Sequence, residues 1–244
     1  MQQLSLGSSP CPNDTFIFYG LIHGKVNCPD TVFKERLEDV ETLNQLALAE
    51  KLDLTKISYH ALGHLRDNYC LLHSGGALGR GCGPLVIARE QIDMQQLQGK
   101  RIAIPGKLTT ANLLLQLYGE GYENLLFLPF HEIMPAVVAG QADAGVIIHE
   151  SRFTYQQHGL QQVLDLGQWW EEDSGCPIPL GGILAKRSLG SELIQQIDTS
   201  LRASVEYAFA NPQQPQDYIK QHAQELEDKV IRSHIDLYVN DFSI

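Results

Sequence analysis

The 244-residue sequence predicts an α/β protein in two lobes with a ligand cleft between them, and three features carry that expectation. From the N-terminus onward, short apolar runs of strand character alternate with segments of helical period, as in repeated β-α units with largely parallel sheets. From Ser191 onward the pattern changes to successive helical stretches with no strand between them. Two segments, GPLVIARE (Gly83–Glu90) and GGILAKRS (Gly181–Ser188), share turn residues, an apolar run containing Ala and then a basic residue. Read as two crossover strands, they divide the chain into a discontinuous first lobe, residues 1–88 plus 187–244, and an inserted α/β lobe, residues 89–186. Clefts between lobes are where ligands usually bind.

In order along the chain, strand-like LSLGSS precedes helix-like DTFIFYGLIHG, VFKERLE precedes ETLNQLALAEKL, and LTKISY precedes ALGHLRD. The inserted lobe continues with KRIAIPG before TTANLLLQLYGEG, NLLFLPF before HEIMPAVVAGQ, and AGVIIH before ESRFTYQQHG. The C-terminal helices are expected in SELIQQIDTSLRASVEYAFANP, QDYIKQHAQEL and DKVIRSHIDLYV, wrapping the first lobe.

Composition narrows the function. With 43% hydrophobic and 19% charged residues the chain is long enough to bury a sizeable core. A net charge of -11, with no basic run, argues against a nucleic-acid partner. No window approaches the roughly 20 apolar residues of a membrane span, and MQQLSLG lacks the form of a signal peptide, so no membrane partner and a cytoplasmic location are expected. Nothing in the sequence fixes an oligomeric state. The cysteines Cys11, Cys28, Cys70, Cys82 and Cys176 form no C-x-x-C pair, which argues for reduced thiols over a disulfide framework or zinc knuckle. His60 and His64 stand four apart in HALGH, but neither the Glu of H-E-x-x-H nor a clear third ligand accompanies them, and no metal is expected. The five glycines of SGGALGRGCGP match neither nucleotide-binding spacing; they supply turns and close backbone approaches. Trp169 and Trp170 in QWWEE read as an anchor on a lobe surface.

Four stretches carry the candidate site. In SSPCPNDTF, Pro10 and Pro12 stiffen a strand-to-helix loop, holding Cys11 and Asn13 extended until Asn13 or Asp14 caps the helix. Ser9, Pro10, Asn13 and Asp14 are therefore expected to shape the cleft rather than perform chemistry. LTKISYHAL puts Lys56 and Ser58 on one face at the carboxyl end of a strand. In PGKLTTANLLL, Thr109 or Thr110 caps a helix beginning near Ala111, and free N–H groups beside two hydroxyls suit a carboxylate. ADAGVIIHESRFTY delivers His149 at the end of a buried strand, before a helix expected at Ser151, where an imidazole is either a hydrogen-bonded core residue or a general base.

Taken together, SPCPNDTFIFYGLIHGKV, LEDVETLNQLAL, LTKISYHAL, SGGALGRGCGPLVIA, the TTA run and AGVIIHESRFTY resemble the 1,4-dihydroxy-6-naphthoate synthases of the futalosine route to menaquinone. The resemblance implies a two-lobed type II periplasmic-binding-protein-like fold turned into a cytoplasmic carbon-carbon lyase. It implies a small-molecule substrate, cyclic dehypoxanthinyl futalosine, cleaved to 1,4-dihydroxy-6-naphthoate without a cofactor. It further implies His149 as the base and Lys56, Ile57, Ser58, Thr109 and Thr110 as substrate contacts. Family members continue past the VNDFS segment into a further helix, so the end at Ile244 implies a shortened member. A solute-binding module and the chorismate-dehydratase-like sister enzyme are the rival readings. The lack of an export signal weighs against the first, and the SPCPNDTF and IIHESRF signatures weigh against the second.

Overall fold

The structure, a computed structural model, describes residues 1–224 and 227–244; the last two positions of the expected helix QDYIKQHAQEL lie outside the described residues. The chain forms two compact units, Met1–Leu78 with Leu180–Ile244, and Gly79–Pro179. Both junctions come earlier than the expected ones after residues 88 and 186.

The first unit runs β1 (Gln2–Ser8), α1 (Pro12–Ile22), β2 (Thr31–Leu37), α2 (Val40–Leu48), β3 (Leu54–Ser58), α3 (Tyr59–Leu65), β4 (Tyr69–Leu71) and β5 (Ala77–Gly79). The second holds β6 (Leu85–Ala88), β7 (Ile102–Ile104), α4 (Thr110–Tyr118), β8 (Leu125–Phe127), α5 (Phe130–Val138), β9 (Ala144–Ile147), α6 (Ser151–Thr154), β10 (Gln161–Asp165) and α7 (Leu166–Ser174). The chain returns through β11 (Ile178–Lys186) and closes with α8 (Ser191–Ala210), α9 (Gln216–His222) and α10 (Asp228–Tyr238).

The first sheet has the order β2-β1-β3-β11-β4, with β5 also on β11; the second has β10-β6-β9-β7-β8. β1 pairs parallel with β2 and β3, and β7 parallel with β8 and β9, as βαβ crossovers require. The expectation of largely parallel sheets needs correction, because β11 runs antiparallel to β3 and β4, and β6 antiparallel to β9 and β10. Within GPLVIARE, Leu85–Ala88 is a fully buried strand held on both edges inside the second sheet, and its unbroken apolar run reports burial on two faces. The strands at Tyr69–Leu71 and Gln161–Asp165 and the helix Leu166–Ser174 were not expected; the two strands are short, and the helix carries an acidic, weakly apolar stretch.

Helix α1 is buried all round from Pro12 to Leu21, and beyond its polar first turns, from Phe16 onward, it is apolar on every face, as a helix buried all round must be. Its main partner is α8, whose Ile197, Leu201, Ser204, Val205 and Ala208 recur at helical spacing on one buried face. Ile197, Leu201, Val205 and Ala208 join Leu4, Leu6, Phe16, Ile17, Phe18 and Leu54 in one core. At the crossing, Ser204 Oγ donates to Ile17 O at 2.6 Å and accepts from Leu21 N at 3.2 Å. Gly20 permits that approach, since a Cβ there would stand 2.8 Å from Ser204 Oγ and 3.1 Å from its Cα. Gly20→Ala is therefore expected to destabilise the protein by about 1–3 kcal/mol through overpacking. Urea unfolding with an unchanged midpoint would mean that α8 yields freely at this contact.

Candidate functional site

In the first unit the sequence-predicted residues converge on one carboxylate. Cys11 precedes Pro12 and is accordingly extended, with φ -68° and ψ 151°, and Pro12 occupies the first helical position that proline favours. The helix thus begins before Asn13, which corrects the expectation that Asn13 is extended and that Asn13 or Asp14 is the cap. Both lie in the first turn of α1, where Asp14 turns back toward its own loop. Its Oδ2 accepts the Ser9 N–H at 3.0 Å, and its Oδ1 accepts from Asn13 Nδ2 at 2.8 Å and meets Lys56 Nζ at 3.0 Å. Ser9 Oγ accepts the Cys11 N–H at 3.3 Å, tightening the turn across Pro10.

Lys56 reaches this position from β3, where alternation sets Lys56 and Ser58 on one face and Ile57 on the other. All three are buried, Ile57 completely. Lys56 is 5% exposed, and apart from its ion pair with Asp14 its ammonium makes no hydrogen bond to any described residue. An ammonium has three N–H donors, so capacity is left for a ligand oxygen. Ser58 is fixed by Asn44 of α2, whose Oδ1 accepts the Ser58 N–H at 2.9 Å and whose Nδ2 donates to Ser58 Oγ at 3.3 Å.

In the second unit Thr109 is the N-cap of α4. Its Oγ1 accepts the Asn112 N–H at 3.2 Å and donates to Gly106 O at 2.8 Å, so the helix starts at Thr110. The cap thus occupies the Thr109 hydroxyl, while Thr110, 6% exposed, sits in the first turn. His149 follows β9 and Ile148 with φ 57°, a left-handed conformation that few residues other than glycine and asparagine adopt readily. Its ring packs edge-on to Phe130 with centroids 5.1 Å apart.

The turn carrying His149 is braced by residues that sequence reasoning passed over. Arg152 Nη2 donates to Asp165 Oδ2 at 2.7 Å, and its Nη1 donates to Gly83 O. Asp165 also caps α7, accepting the N–H groups of Gly167 and Gln168. Gly83 lies against Gly167 so tightly that a Cβ on Gly83 would stand 2.2 Å from the Gly167 Cα, which accounts for one glycine of the glycine-rich segment. Glu150, 1% exposed, adjoins His149 directly. The available signals were an acidic and a basic residue immediately after a strand-end histidine. The remaining motifs are surface or packing features. His60 and His64 share one face of α3 with ring centroids 6.1 Å apart. Trp169 packs edge-on to Tyr118, and Trp170 donates to Pro177 O at 3.3 Å. Burial pushes the Cys82 thiol up to about 11, which keeps it protonated and unreactive at neutral pH. Among the described residues no helix is long and apolar enough to cross a membrane.

A family model described as menaquinone biosynthesis matches residues 4–244. A Thermus thermophilus protein named 1,4-dihydroxy-6-naphtoate synthase is 54% identical, covering 100% of this chain and 88% of its own length. A Streptomyces coelicolor protein of the same name is 45% identical, over 98% of this chain and 86% of its own. Among solved structures, protein AF1704 from Archaeoglobus fulgidus superposes with a TM-score of 0.93 at 38% identity, covering 99% of this chain and 89% of that one. The Candida albicans CA3427 product, described as having the generic periplasmic binding protein fold, superposes with a TM-score of 0.69 at 15% identity, covering 100% and 83%. At that identity the likeness is one of fold, and the fold is the α/β periplasmic-binding-protein type. Matched along almost its whole length, the chain belongs to the menaquinone-biosynthesis family.

Proposed function

We propose that the protein is a 1,4-dihydroxy-6-naphthoate synthase that cleaves cyclic dehypoxanthinyl futalosine, with His149 as general base. The observation that carries this reading is the likeness, over at least 98% of this chain, to two relatives of that name. The site geometry supports it in chemical terms. The product is a carboxylate, and the N-terminus of α4, with Thr110 in its first turn, is the end of a helix that favours an anion. The buried Lys56 ammonium, with donors to spare, suits a further substrate oxygen.

In the proposed reaction the imidazole of His149 accepts a proton from the spiro-cyclic substrate. The carbon-carbon bond to the sugar-derived fragment then breaks, and the second ring becomes aromatic. Aromatisation supplies the driving force, so the protein's task is to hold the substrate and take one proton. The strained backbone at His149 and the packing of Phe130 against its ring fit a base held in one orientation. Incubation of the purified protein with cyclic dehypoxanthinyl futalosine is expected to yield 1,4-dihydroxy-6-naphthoate, detected by mass and absorbance. A parallel incubation with chorismate derivatives is expected to yield nothing, and the reverse pattern would move the protein to the sister activity.

Two substitutions divide the roles in the α4 turn. Thr109→Val is expected to lower stability by about 1 kcal/mol through loss of the cap, and to leave substrate affinity close to wild type. Thr110→Val is expected to raise KM by a factor equivalent to about 1–3 kcal/mol, since it removes a hydrogen bond to a charged group. An unchanged KM for Thr110→Val would remove this turn from the substrate site.

His149→Asn tests the base. Asparagine tolerates the left-handed backbone and retains hydrogen bonding but does not accept a proton near neutral pH. The variant is expected to fold and bind substrate while kcat falls by about 10²- to 10⁴-fold. The wild-type pH profile is expected to show an acid limb, where a protonated imidazole no longer accepts, and the variant to lack it. Turnover within a few-fold of wild type would return His149 to a structural role.

A further inference from the structure

His234 is fully buried on α10, and its Nε2 lies 2.9 Å from Asn13 Oδ1 on the first turn of α1. The direction of that hydrogen bond is fixed by the other end of the Asn13 amide. Asn13 Nδ2 donates to Asp14 Oδ1 at 2.8 Å, and a carboxylate paired with an ammonium only accepts. The amide oxygen must then face the histidine, so His234 Nε2 carries the hydrogen and donates. A one-way relay results: His234 Nε2–H to Asn13, Asn13 Nδ2–H to Asp14, and Asp14 to Lys56 Nζ at 3.0 Å. Every member is 5% exposed or less. The Tyr238 ring, one turn further along α10, packs on His234 with centroids 4.5 Å apart and restrains its rotation.

We propose that His234 is a positioning residue for substrate binding, acting through Asn13 and Asp14 to hold the Lys56 ammonium. This rests on the reading of Lys56 as a substrate contact. Without a donor at His234, the buried Asn13 Oδ1 loses the N–H it accepts, and the amide is held from the Asp14 side alone. An amide tethered at one end no longer fixes Asp14, and the Lys56 ammonium paired with that carboxylate loses its fixed position. The role assigned to the histidine is to tether the Asn13 amide, not to touch substrate or to move a proton.

The test compares His234→Met, which fills similar space without a donor, with His234→Gln, whose amide N–H replaces the one at Nε2. His234→Met is expected to raise KM about tenfold with kcat within about twofold of wild type, the pattern of lost ground-state binding. His234→Gln is expected to restore KM to within about threefold, which a purely packing role does not explain. Lys56→Arg, which keeps the charge but moves the donors, is expected to raise KM on its own, and adding His234→Met to it is expected to change little. If Lys56→Arg raises KM while His234→Met leaves it at the wild-type value, the inference is overturned and the substrate reading of Lys56 stands. If Lys56→Arg leaves KM unchanged, the reading of Lys56 falls and takes the inference with it. Should His234→Met fail to fold, Asn13→Ser breaks the same relay by a smaller excision; a raised KM there supports the relay and an unchanged KM overturns it.

Discussion

The arrangement of the first unit depends on satisfying one buried carboxylate. Asp14 is 1% exposed, and an ionised carboxylate removed from water costs several kcal/mol unless charge and hydrogen bonds replace its hydration. Three donors do so, each from a different element: the Ser9 N–H after β1, the Asn13 side chain on α1 and the Lys56 ammonium on β3. Meeting that requirement joins the loop, the helix and the strand at one point. β3 lies between β1 and β11 in the sheet, and a slip of one residue in its register would turn Lys56 to the opposite face. The strand pairing therefore sets where the ammonium stands, and Asp14 sets where it points.

The second unit orients its candidate base by other means. His149 takes a backbone conformation that costs a non-glycine residue about 1–2 kcal/mol, which surrounding contacts must offset. The Arg152 guanidinium grips both the Gly83 carbonyl and the Asp165 carboxylate, tying the start of β6, the end of β10 and α6 together next to the turn. The Gly83–Gly167 approach closes the same region by backbone contact. One histidine is thus held by packing, an ion pair and close approach, while the lysine of the first unit is held by a polar relay.

Legibility in the sequence followed the range of the forces involved. Alternation of apolar runs with helical periods located β1, α1, β3, α4, β9 and the C-terminal helices, because burial and periodicity are local signals. Thr109 as a cap and His149 at a strand end were readable for the same reason. Strand direction was not, since β11 and β6 read as apolar runs whichever way their neighbours point. Asn13 and Asp14 looked like caps because their residue types favour helix starts; the early start at Pro12 and the demand of Lys56 drew Asp14 to another task. His234 gave no sequence signal: it sits on the buried face of an ordinary amphipathic helix, and its partner is 221 positions away in the chain.

A buried ion pair is a weak device for stability, since apolar residues of similar volume in its place are often as stable or more so. The first unit has no shortage of apolar material: Phe18, Ile17 and Leu6, none of them exposed, belong to the core between α1, the sheet and α8. A charged relay in this unit loses solvation free energy that a larger core would not. What it supplies in return is an ammonium with unused donors, held by groups that are themselves buried and hydrogen-bonded. Preorganisation of that kind lowers the ordering cost of binding, and under the proposed reading of Lys56 it accounts for four polar side chains where four apolar ones would pack. The same reasoning separates His234 from a histidine that only fills space: a space-filling ring needs no defined donor, whereas this ring supplies the N–H that the buried Asn13 amide oxygen accepts.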